Sequence, residues 1–341
     1  MKKKTPWLVV GIICFLVVGL LLINRTSVKE ETVVIYVSED EVFSEPILKD
    51  FERETGIIVK SVFDTEEAKS TGAMNRLIAE KDNPQADVYW ANEPVRAEVL
   101  KQKGIAAAYA SSNAGGIAQE YKDPQGYWTG FSARVRLLVV NKSVGEKPTS
   151  IVAYTEPRWK GRGVITNPLF GTTTDEIAAL FTIWGEERAR SFMENMKANG
   201  TRISTNNGES ADLVASGKAD FSLVDSDDAV NRIRQGNPIE MIYPDQAEGE
   251  IGCMVVPNAA VLINGAPHPT IARKLIDYLL SKETERKLAF ADCAQIPLHP
   301  DVEFPKDLKP ISEIRTMHID YSEVARKLVE IQTYLKTWVG Y

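Results

Sequence analysis

From Thr32 onward, short β-rich runs alternate with helical patterns, and this restricts the chain to an α/β architecture built on parallel strands. Thr32–Val37 reads as a strand, and Phe43, Ile47, Leu48 and Phe51 then recur at helical spacing until Gly56 stops the helix. Ile57–Phe63, Ala86–Trp90, Gly163–Thr166, Arg202–Ser204, Ala219–Val224 and Ile239–Tyr243 read as further strands. Helices are expected at Ala68–Lys81, Glu93–Lys103, Thr173–Trp184, Glu186–Ala198, Glu209–Ser216, Asp227–Arg234, Pro269–Ser281 and Lys282–Phe290. Two longer β-rich runs, Phe131–Asn141 and Gly252–Ile263, break the alternation and are where the chain passes between lobes. The expected division is residues 31–130 with 253–307 in lobe I, and 131–252 with 308–341 in lobe II. Two crossings make a hinge, and a ligand cleft is expected between the lobes at the carboxyl ends of the strands.

Ahead of this body, Lys2-Lys3-Lys4 precede 17 uncharged, almost wholly apolar residues, Trp7–Ile23. At 1.5 Å per residue such a helix covers roughly 25 Å, within the range of a membrane span. The exit from the run has no alanine and no small-residue cleavage pattern, so residues 1–30 read as an uncleaved signal-anchor that places the rest outside the cytoplasm. A lipoprotein reading through Cys14 is disfavoured by Ile12 and Ile13 before it. The chain carries a formal net charge of −7; residues 1–30 hold five Lys/Arg and one Glu, a balance of +4, which leaves −11 on the remainder. So acidic a body argues against nucleic acid as a partner. Cys253 and Cys293 either pair in an oxidising compartment or are two separate buried thiols. His268, His299 and His318 are scattered, which argues against a histidine-rich metal site.

Asp50-Phe51 with Glu54-Thr55-Gly56-Ile57, Ala86-Asp87-Val88, Pro157-Arg158-Trp159-Lys160-Gly161, and the stretch from Ala272 through Lys274-Leu275-Ile276-Asp277-Tyr278 to Ser281 occur in a familiar order. Together they resemble the extracellular solute-binding proteins of ABC importers, most closely the ferric-iron-binding group. The resemblance covers about residues 32–300. It implies a two-lobed type II periplasmic-binding fold with hinge strands, preceded here by one hydrophobic segment. It also implies a monomer that closes on a small ligand and delivers it to a membrane permease, with no catalysis and no required cofactor.

The resemblance further implies iron ligation by a histidine in the first strand–helix loop, a glutamate after the third strand and two adjacent tyrosines in the second lobe. This chain departs at each point. The first loop reads Ser38-Glu39-Asp40-Glu41, the third strand is followed by Ala91-Asn92-Glu93, and the tyrosine pair becomes Asp227-Asp228. Asp40, Asp227 and Asp228 are therefore the expected metal ligands, with Ser38 and Asn92 or Glu93 beside them. Carboxylate oxygens suit Fe(III), other hard cations or an organic ammonium group.

Asp225, Asp227 and Asp228 stand where a strand passes into a helix, so they serve either as helix-start acids or as ligand contacts. Three carboxylates within four residues repel one another unless a cation is near, which favours contact. Gly171, Thr172 and Thr173 open an apolar helix and offer amides and hydroxyls to an anion; relatives use this turn for the oxyanion that accompanies iron. Asn207, in Asn206-Asn207-Gly208, forms a second such turn. Tyr36, Trp90, Tyr127 and Trp128 either wall the site or belong to the core. One acidic turn facing amide-rich turns fits ferric iron bound with a synergistic oxyanion, or a zwitterion such as an aminophosphonate or a thiamine-like ligand. Two rival classes are a ligand-sensing accessory domain and a hydrolase using Asp40 and Asp227 as acid and base. The chain has no GxSxG or HExxH motif to support the hydrolase.

Overall fold

The structure, a computed structural model, describes residues 31–64 and 70–340; the N-terminal run with Cys14, and Ala68 at the expected start of the second helix, lie outside the described residues. In chain order the main elements are β1 (Thr32–Val37), α1 (Glu41–Thr55), β2 (Ile58–Phe63), α2 (Thr71–Ala79), β3 (Val88–Ala91), α3 (Pro94–Gln102), β4 (Ala106–Ala107) and β5 (Thr129–Asn141). There follow β6 (Gly163–Thr166), α4 (Gly171–Trp184), α5 (Glu186–Ala198), β7 (Arg202–Ser204), α6 (Asn207–Ala215), β8 (Phe221–Asp225), α7 (Ser226–Arg234) and β9 (Ile239–Ile242). The chain ends with β10 (Val255–Ile263), α8 (Pro269–Leu279), α9 (Lys282–Phe290) and α10 (Tyr321–Val339). No helix among the described residues is long and apolar enough to cross a membrane.

The strands run in the order β2-β1-β3-β10-β5-β8-β6-β7, with β4 on β10 and β9 on β5. β1 is parallel to β2 and β3, and β6 is parallel to β7 and β8, so each lobe carries the parallel pairing that strand–helix alternation demands. β5 belongs to both lobes. Its first half pairs antiparallel with β10 through Val135, and from Arg136 on it pairs with β8 and β9. Every residue of β5 is buried, as expected for a strand covered on both faces.

The crossing strand bends at a bulge. Ala133 pairs with Pro257 and Phe131 with Asn258, which leaves Ser132 unopposed at φ +40°. A bulged residue loses its ladder partner and kinks the strand. Here the Ser132 amide donates instead to Glu285 Oε1 at 2.8 Å, and Asn258 Nδ2 donates to the Ser132 carbonyl at 3.0 Å. Glu285 also accepts from the amides of Leu298 (2.9 Å) and His299 (3.0 Å) and from His299 Nδ1 (2.8 Å). The other ring nitrogen of His299 lies 2.9 Å from the Asn113 carbonyl, so both nitrogens face acceptors, an arrangement that favours the imidazolium. The Glu285 hydrogen bond accordingly raises the His299 pKa. A raised cationic group stabilises the fold fully below its unfolded value of about 6.5, and that contribution is lost as the pH rises through the folded value. The unfolding free energy should therefore fall with rising pH above neutrality, and His299→Gln should flatten that slope in urea titrations from pH 6 to 9.

α10 packs against both α3 of lobe I and α4 of lobe II. It is tied at one end by Tyr321 Oη to the Val255 carbonyl (2.8 Å) and at the other by Trp338 Nε1 to the Met193 carbonyl (3.0 Å). α10 therefore touches helices of both lobes. The two cysteines correct the pairing option: both are free and buried, in different hydrophobic clusters. Cys253 lies against the Pro244 carbonyl and Cys293 against the Leu288 carbonyl.

Candidate functional site: an acidic cleft at four helix starts

A cleft of about 380 Å³ opens where α1, α4, α6 and α7 begin. These starts converge because each follows a strand or strand-end loop at the same edge of its sheet, the usual ligand edge of open α/β folds. Lobe I supplies Glu39, Asp40, Val42, Phe43 and Asn92, together with Asp292 and Cys293 after α9. Lobe II supplies Thr166, the turn from Phe170 to Thr173, the turn from Thr205 to Gly208, and Asp225, Asp227, Asp228, Asn231 and Arg232; Arg134 reaches in from β5. No tyrosine or histidine lines the cleft among the described residues.

Of the expected site residues, Asp40, Asn92, Gly171, Thr172, Thr173, Asn207, Asp225, Asp227 and Asp228 all lie on this cleft. Two do not, and both are corrections. Ser38 is 1% exposed and its hydroxyl is engaged with Tyr89 Oη (2.9 Å) and Asp64 Oδ2 (3.2 Å). Glu93 is wholly buried beside Arg96, with Oε1 3.4 Å from Nε. Successive residues leaving a strand point to opposite sides, so Asn92 and Glu93 cannot both face the cleft. Arg96 in turn pairs with Asp175 at 2.8 Å, which joins α3 of one lobe to α4 of the other. Burial and the Asp175 carboxylate push the Glu93 carboxyl up to about 8. Tyr36, Trp90 and Trp128 are core residues, and among the described residues the aromatics on the cleft are Phe43 and Phe170.

Behind the cleft wall lies a buried ionic network that sequence reading missed. Arg136, with no exposed surface, donates to Glu176 Oε2 (2.8 Å), Asp225 Oδ1 (3.0 Å), Thr172 Oγ1 (3.2 Å), Asn207 Oδ1 (3.1 Å) and Thr173 Oγ1 (3.1 Å). Thr172 Oγ1 donates to Asp225 Oδ2 at 2.9 Å, and Asn207 Nδ2 to the same oxygen at 3.2 Å. Arg134 donates to the Asn92 carbonyl and lies 3.8 Å from Asp225 Oδ2. The threonine hydroxyls expected to meet an anion are thus turned inward. The first-turn amides of α4, and those of α6 other than the capped Glu209 amide, have no intrahelical acceptors and remain open on the cleft beside Arg134. The signal for the network was present in the sequence: Arg134 and Arg136 stand two apart, on one face of an otherwise apolar strand.

The acidic triplet divides in two. Burial would raise the Asp225 carboxyl, but Arg136 and Arg134 outweigh it and hold it below the ordinary carboxylate range. Asp225 is at the N-cap of α7 without capping it; its carboxylate organises the network instead. Asp227 behaves in the opposite way, raised well above the ordinary range by desolvation and by the Asp228 carboxylate. Asp225, Asp227 and Asp228 have carboxylate oxygens within 4.8 Å of one another, an arrangement able to hold a metal ion. Asp228 also faces Arg232 at 3.2 Å. Asn206, by contrast, is a plain helix cap that accepts from the Glu209 amide at 2.8 Å.

Comparison with known proteins agrees with this architecture. The chain matches the family described as bacterial extracellular solute-binding protein over residues 83–322. It is 27% identical over 287 residues to iron uptake protein A1 of Synechocystis sp., covering 77% of this chain and 78% of that protein. It is 24% identical over 244 residues to a putative 2-aminoethylphosphonate-binding periplasmic protein of Salmonella typhimurium, covering 70% and 69%. Its fold is that of iron-bound HitA from Pseudomonas aeruginosa, with a TM-score of 0.80 at 23% identity over 89% of this chain and 99% of the other. With the family match extending over more than half of its residues, the chain belongs to the bacterial extracellular solute-binding protein family.

Proposed function

We propose that the chain is the extracytoplasmic solute-binding component of an ABC importer and that its solute is a hard cation, ferric iron with an accompanying oxyanion. The carrying observation is the Asp225, Asp227 and Asp228 group, whose carboxylate oxygens lie within 4.8 Å on the wall of an interlobe cleft. Among the described residues, six carboxylates line that cleft against two arginines, and the excess favours a multiply charged cation. Asp227 and Asp228 from lobe II and Asp40 from lobe I supply the oxygens, with Asn92 beside them. The oxyanion rests on Arg134 and on the first turns of α4 and α6. Closure brings the two sets together, and the closed form is what the permease accepts. Residues 7–23 tether the protein beside that permease, which raises the effective concentration of the pair.

A second reading is favoured by the size of the cleft. About 380 Å³ is ample for an organic zwitterion with its ammonium on the acids and its phosphonate on Arg134. A thermal-shift screen of the full chain separates the two, using ferric citrate, ferric phosphate, other hard cations, thiamine and 2-aminoethylphosphonate. A probe at a hundredfold excess over its dissociation constant should add about 2.7 kcal/mol. Stabilisation by the ferric species is the expected result; stabilisation by 2-aminoethylphosphonate alone would transfer the assignment to the zwitterion.

A further inference from the structure

Arg232 occupies the place where an incoming cation has to compete. It stands one turn beyond Asp228 on α7, with Nη1 3.2 Å from Asp228 Oδ1. Its other edge faces Asp212 of α6, with Nε 3.0 Å from Oδ1 and Nη2 3.4 Å from Oδ2. The guanidinium therefore holds two carboxylates at once: Asp228 on the cleft, and Asp212, which is 63% exposed and does not line the cleft.

The seat is electrostatically mixed. A Cβ built on Gly208 would come within 2.8 Å of Nη2, so the guanidinium lies against the first turn of α6. Helix starts carry partial positive charge and repel a cation, so the two carboxylates are what keep it there. Arg134, the other arginine among the described cleft residues, is only 5% exposed and donates through Nη2 to the Asn92 carbonyl, whereas Arg232 touches a carboxylate that lies off the cleft.

We infer that Arg232 is a built-in, displaceable counterion of the binding site: it holds Asp228 while the cleft is empty and moves wholly onto Asp212 when the solute's cation takes Asp228. The inference rests on the cation-binding reading above. The exchange gives up one contact, through Nη1, and keeps the two to Asp212. Binding strength is then set by a competition, and reversal of the exchange assists release, because Arg232 returns to Asp228 as the solute leaves.

The competition requires effects of opposite sign from two neighbouring residues. With ferric citrate as the probe and the full chain as the protein, Arg232→Met should bind roughly threefold to tenfold tighter, the scale of a partly exposed ion pair. Asp212→Asn should bind more weakly by a similar factor, because Arg232 then has Asp228 as its remaining partner. In the double variant the loss from Asp212→Asn should vanish, since the competitor is gone. Weaker or unchanged binding by Arg232→Met, or a loss from Asp212→Asn that persists without Arg232, overturns the exchange alone. A wild-type protein that binds no probe of the screen overturns the cation reading and the exchange with it.

Discussion

Asparagine at both Asp227 and Asp228 lowers the affinity for ferric citrate by on the order of 100-fold or more, while the fold is kept. Truncating a close charge partner at a binding site typically costs 2–5 kcal/mol, about 30-fold to several thousandfold. Asparagine retains shape and an acceptor oxygen, so what is lost is charge. The stability of the solute-free protein should not fall with it. The carboxylate oxygens of Asp225, Asp227 and Asp228 lie within 4.8 Å of one another, and neutralising two of them relieves their repulsion. Asp225 is a poor choice for the same test, because its carboxylate is the partner of Arg136 and Thr172 and its loss disturbs the wall itself. Titration calorimetry of the double variant, with a urea curve of the same preparation, separates these effects. Unchanged affinity would make Asp227 and Asp228 no more than first-turn acids of α7.

Arg136→Met carries the largest expected loss of stability, about 3–5 kcal/mol, the scale for removing one partner from a buried ion pair. Glu176 and Asp225 are 1% and 3% exposed, and without Arg136 the Glu176 carboxylate loses its guanidinium partner. Burial already raises the Glu176 carboxyl, so in the variant it is driven to take up a proton. Urea denaturation at neutral pH checks the size of the loss. Adding Glu176→Gln and Asp225→Asn should recover part of it, because buried charge without compensation is what costs most. The turns at Thr172 and Asn207 hang on the same guanidinium, so solute affinity should fall together with stability.

The sequence carried the architecture because alternation and helix stops are local: Gly56, at φ +72° with its amide on the Glu52 carbonyl, closes α1 where the apolar spacing ends. The acidic and amide-rich turns were legible for the same reason, since each is a helix start following a strand. The choice between Asn92 and Glu93 was not, because it depends on where β3 ends, and a one-residue difference reverses the side faced. Arg134 and Arg136 escaped notice inside an apolar run whose strand character was plain. The helix Tyr321–Val339 was also passed over, although Tyr321, Val324, Ala325, Leu328, Ile331, Leu335 and Trp338 mark one buried face at helical spacing. The separation of Cys253 from Cys293 is a property of the packed clusters, which spacing along the chain does not encode.

On the proposed reading, the acidic cleft takes up a hard cation through Asp227 and Asp228. Equilibrium dialysis of the full chain against ferric citrate, with iron counted per protein, tests it most directly. Close to one iron per wild-type chain is expected and almost none in the Asp227→Asn, Asp228→Asn variant; no bound iron in the wild type, or equal iron in both, would rule out cation uptake through these two carboxylates.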